Sequence, residues 1–176
     1  AYDIRTKEGK FLSENLGWGP AVDKDRVVWM DNHVGDIGNE IYLYDLKKDI
    51  KTRITVDSFD QEYPDISGRY VVWADYRHGP WNLDIYMYDL KTEEIAQITT
   101  APGNQTKPRI SGNTIVWHDF RDGTGSADIF MYDIKTKEET RLTNDAISQG
   151  YPVVSGDKIA WQDNTNDGAT DVVLYD

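Results

Sequence analysis

A stretch near the C-terminal end places oxygen-bearing side chains at the spacing of a calcium loop. Residues 163–171 read DNTNDGATD, so acidic and hydroxyl groups alternate around a glycine at which the chain can turn. Calcium in proteins is bound by several oxygen atoms from alternating positions of such a loop. The candidate ligands are Asp163, Thr165, Asp167 and Asp171. Because an ordinary turn has the same composition, we expect no cofactor and keep Ca²⁺ at this loop as the alternative.

The chain has three histidines that could take part in acid–base or metal chemistry: His33, His78 and His118. His33 and His78 fall in corresponding polar segments of a sequence repeat, and two imidazoles with a carboxylate could hold a metal ion. His118 directly follows a tryptophan and has no acid or serine partner at a fixed spacing. No motif fixes a catalytic geometry, and the lack of cysteine excludes disulfides and thiolate sites. The preferred expectation is a protein without catalytic activity, and the alternative is a lyase or hydrolase acting on polysaccharides.

The polar segments between the apolar runs are rich in aromatic, amide and arginine side chains. Aromatic rings offer flat apolar area and polar groups fix the orientation of a ligand, which suits sugars and peptides. The candidate ligand-binding residues are Trp18, His33, Phe59, Tyr76, Arg77, His78, Trp81, Phe120 and Arg121. The alternative is that these rings cover strand ends or meet another domain.

The composition excludes several classes of protein. The chain of 176 residues has 19 Lys and Arg against 31 Asp and Glu, a formal net charge of −12. Nonspecific nucleic-acid binding depends on Lys and Arg that neutralise phosphates, so an acidic chain is disfavoured for that role. An aromatic content of 12% excludes a disordered acidic tail, and no apolar run of about 18 residues is present to insert into a membrane. The length suits one domain with its own core.

One sequence unit occurs four times at a spacing of 44 residues. The register is set by a recurring proline, tryptophan and aspartate: Pro20, Pro64, Pro108 and Pro152; Trp29, Trp73, Trp117 and Trp161; Asp31, Asp75, Asp119 and Asp163. Each unit contains four short runs rich in β-branched and aromatic residues, separated by turn signals such as Gly68-Arg69, which predicts four β-strands. We expect the tryptophans to form the core between units. We expect the aspartates to accept backbone N–H groups and shape the loops that follow.

Four-stranded units repeated along a chain are typical of an all-β fold, the β-propeller, whose blades stack around an axis. The second and third strands of each unit are apolar on both faces, which indicates sheets that are buried on both faces. The predicted domain is a single propeller over residues 1–176. Its predicted blades cover residues 19–55, 63–99, 107–143 and 151–176.

The two ends of the chain decide how such a ring closes. The last unit stops at its third strand, whereas residues 1–13 align with the third and fourth strands of an earlier unit. We therefore predict that residues 1–13 supply the outer strand of the last blade and close a four-bladed ring by backbone hydrogen bonds. The alternative is a homodimer in which two chains exchange terminal strands to form eight blades. A monomer is the preferred expectation.

The segments YPDISG…VVWADYR…DIYMYDL and ISGNTIVWHDFRDGTGSADIFMYDIKT resemble the TolB-type (WD-repeat-like) propeller repeats of bacterial and archaeal cell-surface proteins. The resemblance covers all four units, although Val172-Val173 replaces the Ile-Tyr of the pattern in the last one. It implies a β-propeller, usually of six or seven blades, with a binding or scaffolding role. It also implies a periplasmic, cell-surface or extracellular location.

The most variable segments join strand four to the next strand one, or strand two to strand three, and in a propeller these loops share one face. Binding residues are usually carried by loops between ordered strands. The sequence therefore predicts a non-catalytic binding or scaffold module that recognises a glycan or a protein through this face. We expect neither nucleic-acid binding nor membrane insertion. The alternatives are a polysaccharide-cleaving enzyme in the propeller mouth and a structural domain of a larger, eight-bladed ring.

Overall fold

The computed structural model describes residues 1–3, 7–13, 16–32, 38–123, 125–144, 146–164 and 168–176. Within these ranges the regular structure is all β, and no helix is long and apolar enough to cross a membrane. The strands are β1 (Tyr2–Asp3), β2 (Glu8–Gly9), β3 (Leu16–Asp23), β4 (Arg26–Asn32), β5 (Glu40–Asp45), β6 (Ile50–Arg53), β7 (Gln61–Ser67), β8 (Tyr70–Asp75), β9 (Asp84–Asp89), β10 (Glu94–Gln97), β11 (Gln105–Ser111), β12 (Thr114–Asp119), β13 (Asp128–Asp133), β14 (Glu138–Arg141), β15 (Gln149–Ser155), β16 (Lys158–Asn164) and β17 (Thr170–Tyr175).

The strands form one short hairpin and four antiparallel sheets. The hairpin is β1–β2, and the sheets are blade 1 (β3–β6), blade 2 (β7–β10), blade 3 (β11–β14) and blade 4 (β15–β17). Strands that are neighbours in sequence are neighbours in the sheet, so each blade is a meander. The first strands of successive blades also contact each other, which makes them the inner strands around the axis. The predicted all-β fold with four-stranded antiparallel sheets is confirmed, and blade 4 has three strands among the described residues.

The core lies between the blades, where the tryptophan face of one sheet packs on the aliphatic face of the sheet before it. Trp73 and Tyr86 of blade 2 form one cluster with Val28, Ile41 and Leu43 of blade 1. Equivalent clusters join blade 2 to blade 3 and blade 3 to blade 4. The predicted role as core between blades is confirmed for Trp73, Trp117 and Trp161. Trp29 is also buried, but it packs with residues of its own blade and with Leu12 of the N-terminal segment.

The tight turns between strands one and two are joined from blade to blade by a hydrogen bond that we call the turn latch. The amide N–H of Gly68 donates to Oδ2 of Asp23 at 2.7 Å, and the amide of Gly112 donates to Oγ of Ser67 at 2.9 Å. The amide of Gly156 repeats the bond with Oγ of Ser111 at 3.0 Å. Each latch therefore fixes the turn of one blade against the turn of the blade before it.

The N-terminal segment does not complete blade 4, contrary to the prediction for residues 1–13. β1 pairs with β2 instead, and no described strand pairs with the outer edge of β17. Leu12 packs against the cluster that contains Trp29 and Tyr42 of blade 1. A hairpin joins strands that are close in sequence and costs less loop-closure entropy than pairing with the far end of the chain. The hairpin segment also covers an apolar surface of blade 1, which favours its position there.

Candidate functional site

The two predicted sets of variable loops meet on one side of the molecule, which we call the loop face. It comprises residues 54–60, 76–83, 98–104, 120–123, 125–127, 142–144 and 146–148. The amide of Asn39, just before blade 1's third strand, donates to Oδ1 of Asp60 at 2.8 Å. In the next blade the amide of Leu83 donates to Oδ1 of Asn104 at 3.1 Å. Side-chain oxygens of the loops that follow strand four therefore accept hydrogen bonds from the backbone of the loops that precede strand three.

Asp75 and Asp119, two of the four repeated aspartates, accept backbone N–H groups and shape the loops that follow strand two, as the sequence predicts. Oδ2 of Asp75 accepts from the indole N–H of Trp73 at 3.0 Å, and Oδ1 accepts from the backbone N–H of Arg77 at 3.0 Å. The Arg77 guanidinium binds both oxygens of the same carboxylate, at 2.9 and 2.7 Å, and lies 4.1 Å from the ring centroid of Tyr86. The hydrogen bonds to Asp75 raise the pKa of Arg77. Asp119, Arg121 and Phe130 repeat this arrangement in blade 3.

Both predicted ligand-binding arginines, Arg77 and Arg121, thus have a buried carboxylate as their partner. A side chain that makes two hydrogen bonds to one carboxylate and also contacts an aromatic ring is well suited to stabilising the loop. Their predicted contact with a ligand stays a prediction.

The predicted ligand-binding aromatic side chains differ in their solvent exposure. Trp81 is 79% exposed, while Trp18 and Phe59 are nearly half exposed. Tyr76 is partly buried and donates its hydroxyl to Oε2 of Glu62 at 3.1 Å. Phe120 is partly buried as well. Burial and the neighbouring Glu62 raise the pKa of Tyr76, which keeps the phenol protonated.

The residues considered for metal binding have ordinary partners where the structure describes them. His78 Nδ1 lies 2.7 Å from Oδ2 of Asp84, and Asp163 Oδ1 accepts from Nε2 of Gln149 at 3.2 Å. Asp171 is exposed, opposite Asp163 in the sheet. His33, Thr165 and Asp167 lie outside the described residues. Within the described ranges no group of three or more His, Asp or Glu is placed to hold a metal ion, and calcium stays a prediction.

A pocket at the axis, which the sequence did not single out, is lined by the inner strands of all four blades and is open to solvent. Its volume is about 210 Å³. We call it the axial pocket, and its lining residues are Gly19, Pro20, Tyr63, Pro64, Lys107, Pro108, Arg109, Tyr151, Pro152 and Val153. Each inner strand contributes its repeated proline and the residue before it. The sequence signal for this site was therefore the recurring proline, which indicates a strand boundary equally well.

The residue before each proline has a left-handed backbone. The φ angles are +57° at Gly19, +54° at Tyr63, +51° at Lys107 and +52° at Tyr151. The strand pairing is interrupted at the same place in every blade, for example between Glu62 and Asp65 in blade 2. This is a β-bulge, a feature that changes the direction in which a side chain points. A non-glycine residue in this conformation costs roughly 1–2 kcal/mol, and three of the four positions carry one.

The axial pocket brings cations and aromatic rings together. The Nζ of Lys107 lies 4.5 Å from the ring centroid of Tyr151 and 6.0 Å from that of Tyr63. Arg109 adds a second cation to the lining, and no carboxylate is among the lining residues. Burial, followed by the charge of Glu62, raises the pKa of Tyr63. The pocket is thus a small positive site on a chain of net charge −12.

His118 contacts Tyr151, one of the residues that line the axial pocket. It is 5% exposed, and its ring lies edge to face with that of Tyr151 at a centroid distance of 5.5 Å. The backbone N–H of Tyr151 donates to Nε2 of His118, so this nitrogen carries no proton. Burial, followed by the charge of Lys107, lowers the pKa of His118 to about 4. His118 is therefore a neutral positioning residue that holds the left-handed backbone at Tyr151.

Comparison with known proteins identifies the fold. No protein-family model matches the chain, and no curated protein is significantly similar to it in sequence. Among solved structures, TolB from Acinetobacter baumannii matches with a TM-score of 0.72 and 24% identity, over 93% of this chain and 42% of that one. A putative TolB from Agrobacterium tumefaciens matches with a TM-score of 0.69 and 21% identity, over 86% of this chain and 57% of that one.

The β-propeller domain of the Trilobed protease from Pyrococcus furiosus, described as having an open velcro topology, also matches. Its TM-score is 0.67 at 16% identity, over 91% of this chain and 54% of that one. These likenesses show a TolB-like β-propeller fold. The chain spans between 42% and 57% of the length of the three structures.

Proposed function

We propose that this chain is a non-catalytic binding module whose axial pocket and loop face receive a segment of a protein partner that carries a carboxylate. The observation that carries the proposal is the left-handed backbone at Tyr63, Lys107 and Tyr151. Strained conformations of this kind cluster at ligand sites, where the surrounding structure holds a side chain in the position that binding requires. In blade 1 the same position is Gly19, which adopts this conformation without strain.

The charges of the pocket support an acidic ligand group. Lys107 and Arg109 line the pocket together with the phenols of Tyr63 and Tyr151. A carboxylate that enters loses water, and an ammonium, a guanidinium and hydroxyl donors compensate that loss by charge-assisted hydrogen bonds. The remaining surface of an acidic chain repels such a group, so the pocket is the favoured place for it.

The size of the pocket supports a segment of a larger ligand. Sites that enclose a drug-sized molecule have volumes of roughly 300–1,000 Å³, and the axial pocket has about 210 Å³. A single acidic side chain or a chain terminus fits this volume. The rest of the partner then lies across the loop face, where Trp81 and Phe59 offer exposed rings. Partners that bind in this way anchor on aromatic side chains at the centre of the contact.

The fold also supports a location in the periplasm or outside the cell. The resemblance to TolB-type repeats implies that setting, and the likeness to the TolB structures is consistent with it. We place the module there as part of the same proposal.

An array of short acidic, neutral and basic peptides tests the ligand class and the pocket together. We expect the chain to bind acidic peptides, and the Lys107→Gly variant to bind them at least tenfold more weakly, about 1.4 kcal/mol. Glycine suits the left-handed backbone at this position, so the variant keeps the fold while it loses the cation. The matched control is Lys137→Gly, at an exposed turn where φ is +62°. This control should bind like the unmodified chain.

Three outcomes contradict the proposal. Equal binding by the unmodified chain and the Lys107→Gly variant would place the ligand outside the axial pocket. Binding on a parallel glycan array with none on the peptide array would reject a protein partner, even if Lys107 were required. If the chain binds on neither array, a scaffold role becomes the better explanation of the fold.

A further inference from the structure

The arginine that lines the axial pocket lacks the carboxylate partner that the other described arginines have. Those that form an ion pair with an aspartate or glutamate are Arg26, Arg53, Arg69, Arg77, Arg121 and Arg141. Arg109 forms neither an ion pair nor a side-chain hydrogen bond with any described residue, although the chain has 31 acidic residues. The carboxylate that feels its charge, Asp65, instead accepts the backbone N–H groups of Ile66 and Ile110, each at 3.0 Å. The exposed guanidinium of Arg109 is therefore free to bind an anion.

Lys107, the second cation of the pocket, contacts aromatic rings and no carboxylate. Its Nζ lies over the rings of Tyr151 and Tyr63, and within the described ranges it forms no ion pair. Lys107 and Arg109 are two residues apart on β11, with Pro108 between them. One inner strand thus supplies two positive charges to one small pocket. These charges repel each other until an anion binds and compensates both.

The walls of the pocket are otherwise apolar and poor in backbone donors. Four of the ten lining residues are the repeated prolines, which have no amide N–H. The amide N–H of Tyr151 already donates to His118. A ligand chain that passed through the pocket would bring peptide groups on both sides of its acidic residue. These groups would lose water without gaining a hydrogen-bond partner from the prolines.

We infer that the axial pocket binds the C-terminal residue of the partner, its α-carboxylate paired with Lys107 and Arg109 and its apolar side chain packed on the prolines. The inference rests on the proposed function and names the part of the partner that enters the pocket. A C-terminal residue brings in its carboxylate and one peptide group only, so fewer backbone groups lose water. The volume of about 210 Å³ also suits one residue better than a chain that enters and leaves.

The chemistry of the two cations fits a single carboxylate. A guanidinium can donate two parallel hydrogen bonds to the two carboxylate oxygens, while an ammonium acts as a compact point charge. The phenol hydroxyls of Tyr63 and Tyr151 provide further donors at the same site. The carboxylate of an internal aspartate or glutamate has the same two oxygens. The distinction between the two ligands therefore lies in the chain that follows the carboxylate.

Three sets of array peptides, attached through their N-termini and random in their upstream sequence, test the inference. The first set ends in leucine as the free acid, and the second ends in leucine amide. The third is the amide with one internal glutamate, which restores the charge. We expect the free acids to bind at least tenfold more tightly than either amide set, a difference of about 1.4 kcal/mol.

The outcomes separate this inference from the proposed function. If the glutamate set binds as tightly as the free acids, and the Lys107→Gly variant loses both, the terminal residue is wrong while the carboxylate pocket stands. If none of the three sets binds, the inference and the proposed function fail together.

The variant Arg109→Gln tests the second cation. Arg109 is exposed and makes no side-chain hydrogen bond to a described residue, so the variant keeps the fold. It should bind the free acids roughly tenfold more weakly and the amides unchanged. The matched control is Lys91→Gln, which removes the same charge from an exposed position after β9 and should bind like the unmodified chain. An equal loss in both variants would overturn a direct contact with Arg109.

The apolar walls are tested by the last residue of the free-acid peptides. Peptides that end in leucine should bind roughly tenfold more tightly than those that end in glycine, because the leucine side chain loses contact with water against the prolines. The same affinity constants, measured for the two sets on one array, give this ratio. Equal binding of both sets would overturn the apolar contact.

Discussion

His118 links the backbone of the axial pocket to pH. Its pKa in the folded chain is about 4, below its ordinary value of 6.5, so the folded state binds fewer protons than the unfolded state between these values. The free energy of unfolding is therefore at its full value above about pH 6.5 and falls as the pH drops through this window toward 4. The loss that His118 causes is of the order of 3 kcal/mol.

The variant His118→Gln should remove this loss. A glutamine oxygen can accept the hydrogen bond from Tyr151, it does not titrate, and blade 4 carries Gln162 at the corresponding position. Denaturant unfolding at pH 7.5 and at pH 4.5 measures the effect in both proteins. The buried carboxyls, such as Asp65, whose pKa is raised by burial, act in the opposite direction, and the comparison between the two proteins cancels them. The same pH dependence in both proteins would contradict the role of His118.

Sequence reasoning did not single out the residues of the axial pocket. Tyr63, Lys107 and Tyr151 were visible as polar or aromatic residues beside prolines, and the residue before a proline is normally extended. The left-handed backbone depends on the bulge in the inner strand, which the pairing with strand two creates. By contrast, the roles of Trp73 and Asp75 followed from the sequence, because a residue type that recurs in every unit points to the repeated architecture.

The turn latch makes strands one and two of each blade dependent on the blade before. Replacing Ser67 by alanine removes the acceptor for the Gly112 amide, and we expect the free energy of unfolding to fall by about 1 kcal/mol. Ser111→Ala should cause a similar loss, because Ser111 holds Gly156 in the same way. Ser155→Ala serves as the comparison and should leave the free energy of unfolding unchanged, because Ser155 accepts no turn latch among the described residues. Denaturant titration of the three variants measures these effects. Equal losses of folding stability at all three positions would contradict this assignment.

The strands themselves were largely predictable, and the partner of the terminal segment was not. Continuous runs of β-branched and aromatic residues predict where β8 and β9 lie, since both faces of each sheet are buried. The alignment of residues 1–13 with an outer hairpin also holds, because β1 and β2 pair in the predicted manner of strands three and four. Which sheet that hairpin joins depends on long-range competition between apolar faces. The local sequence pattern does not indicate which apolar face the hairpin joins.

Blades that contact only their sequence neighbours share stability along the stack. Blade 2 packs against a blade on each side, whereas blade 4 packs against blade 3 alone among the described residues and has three described strands. Backbone amides of β15–β17 should therefore exchange with deuterium faster than those of β7–β9. Mass spectrometry of peptides from the two blades measures both rates. Equal exchange rates in the two blades would contradict this distribution of stability.

The sequence predicted the fold class because the 44-residue period is combined with four runs rich in β-branched and aromatic residues in each unit, which together indicate a stacked repeat of small sheets. The angle between blades could not be predicted from the sequence, because it is set by how the side chains of two packed sheets interdigitate.

The turn latch joins positions 45 residues apart by the same bond at every junction, whichever blades it connects. An in-frame duplication of one unit in the gene would thus insert a blade whose two faces already fit the blades on either side. A deletion of one unit would likewise leave compatible neighbours in contact. The interfaces impose no fixed number of blades, and a single recombination event is enough to change that number.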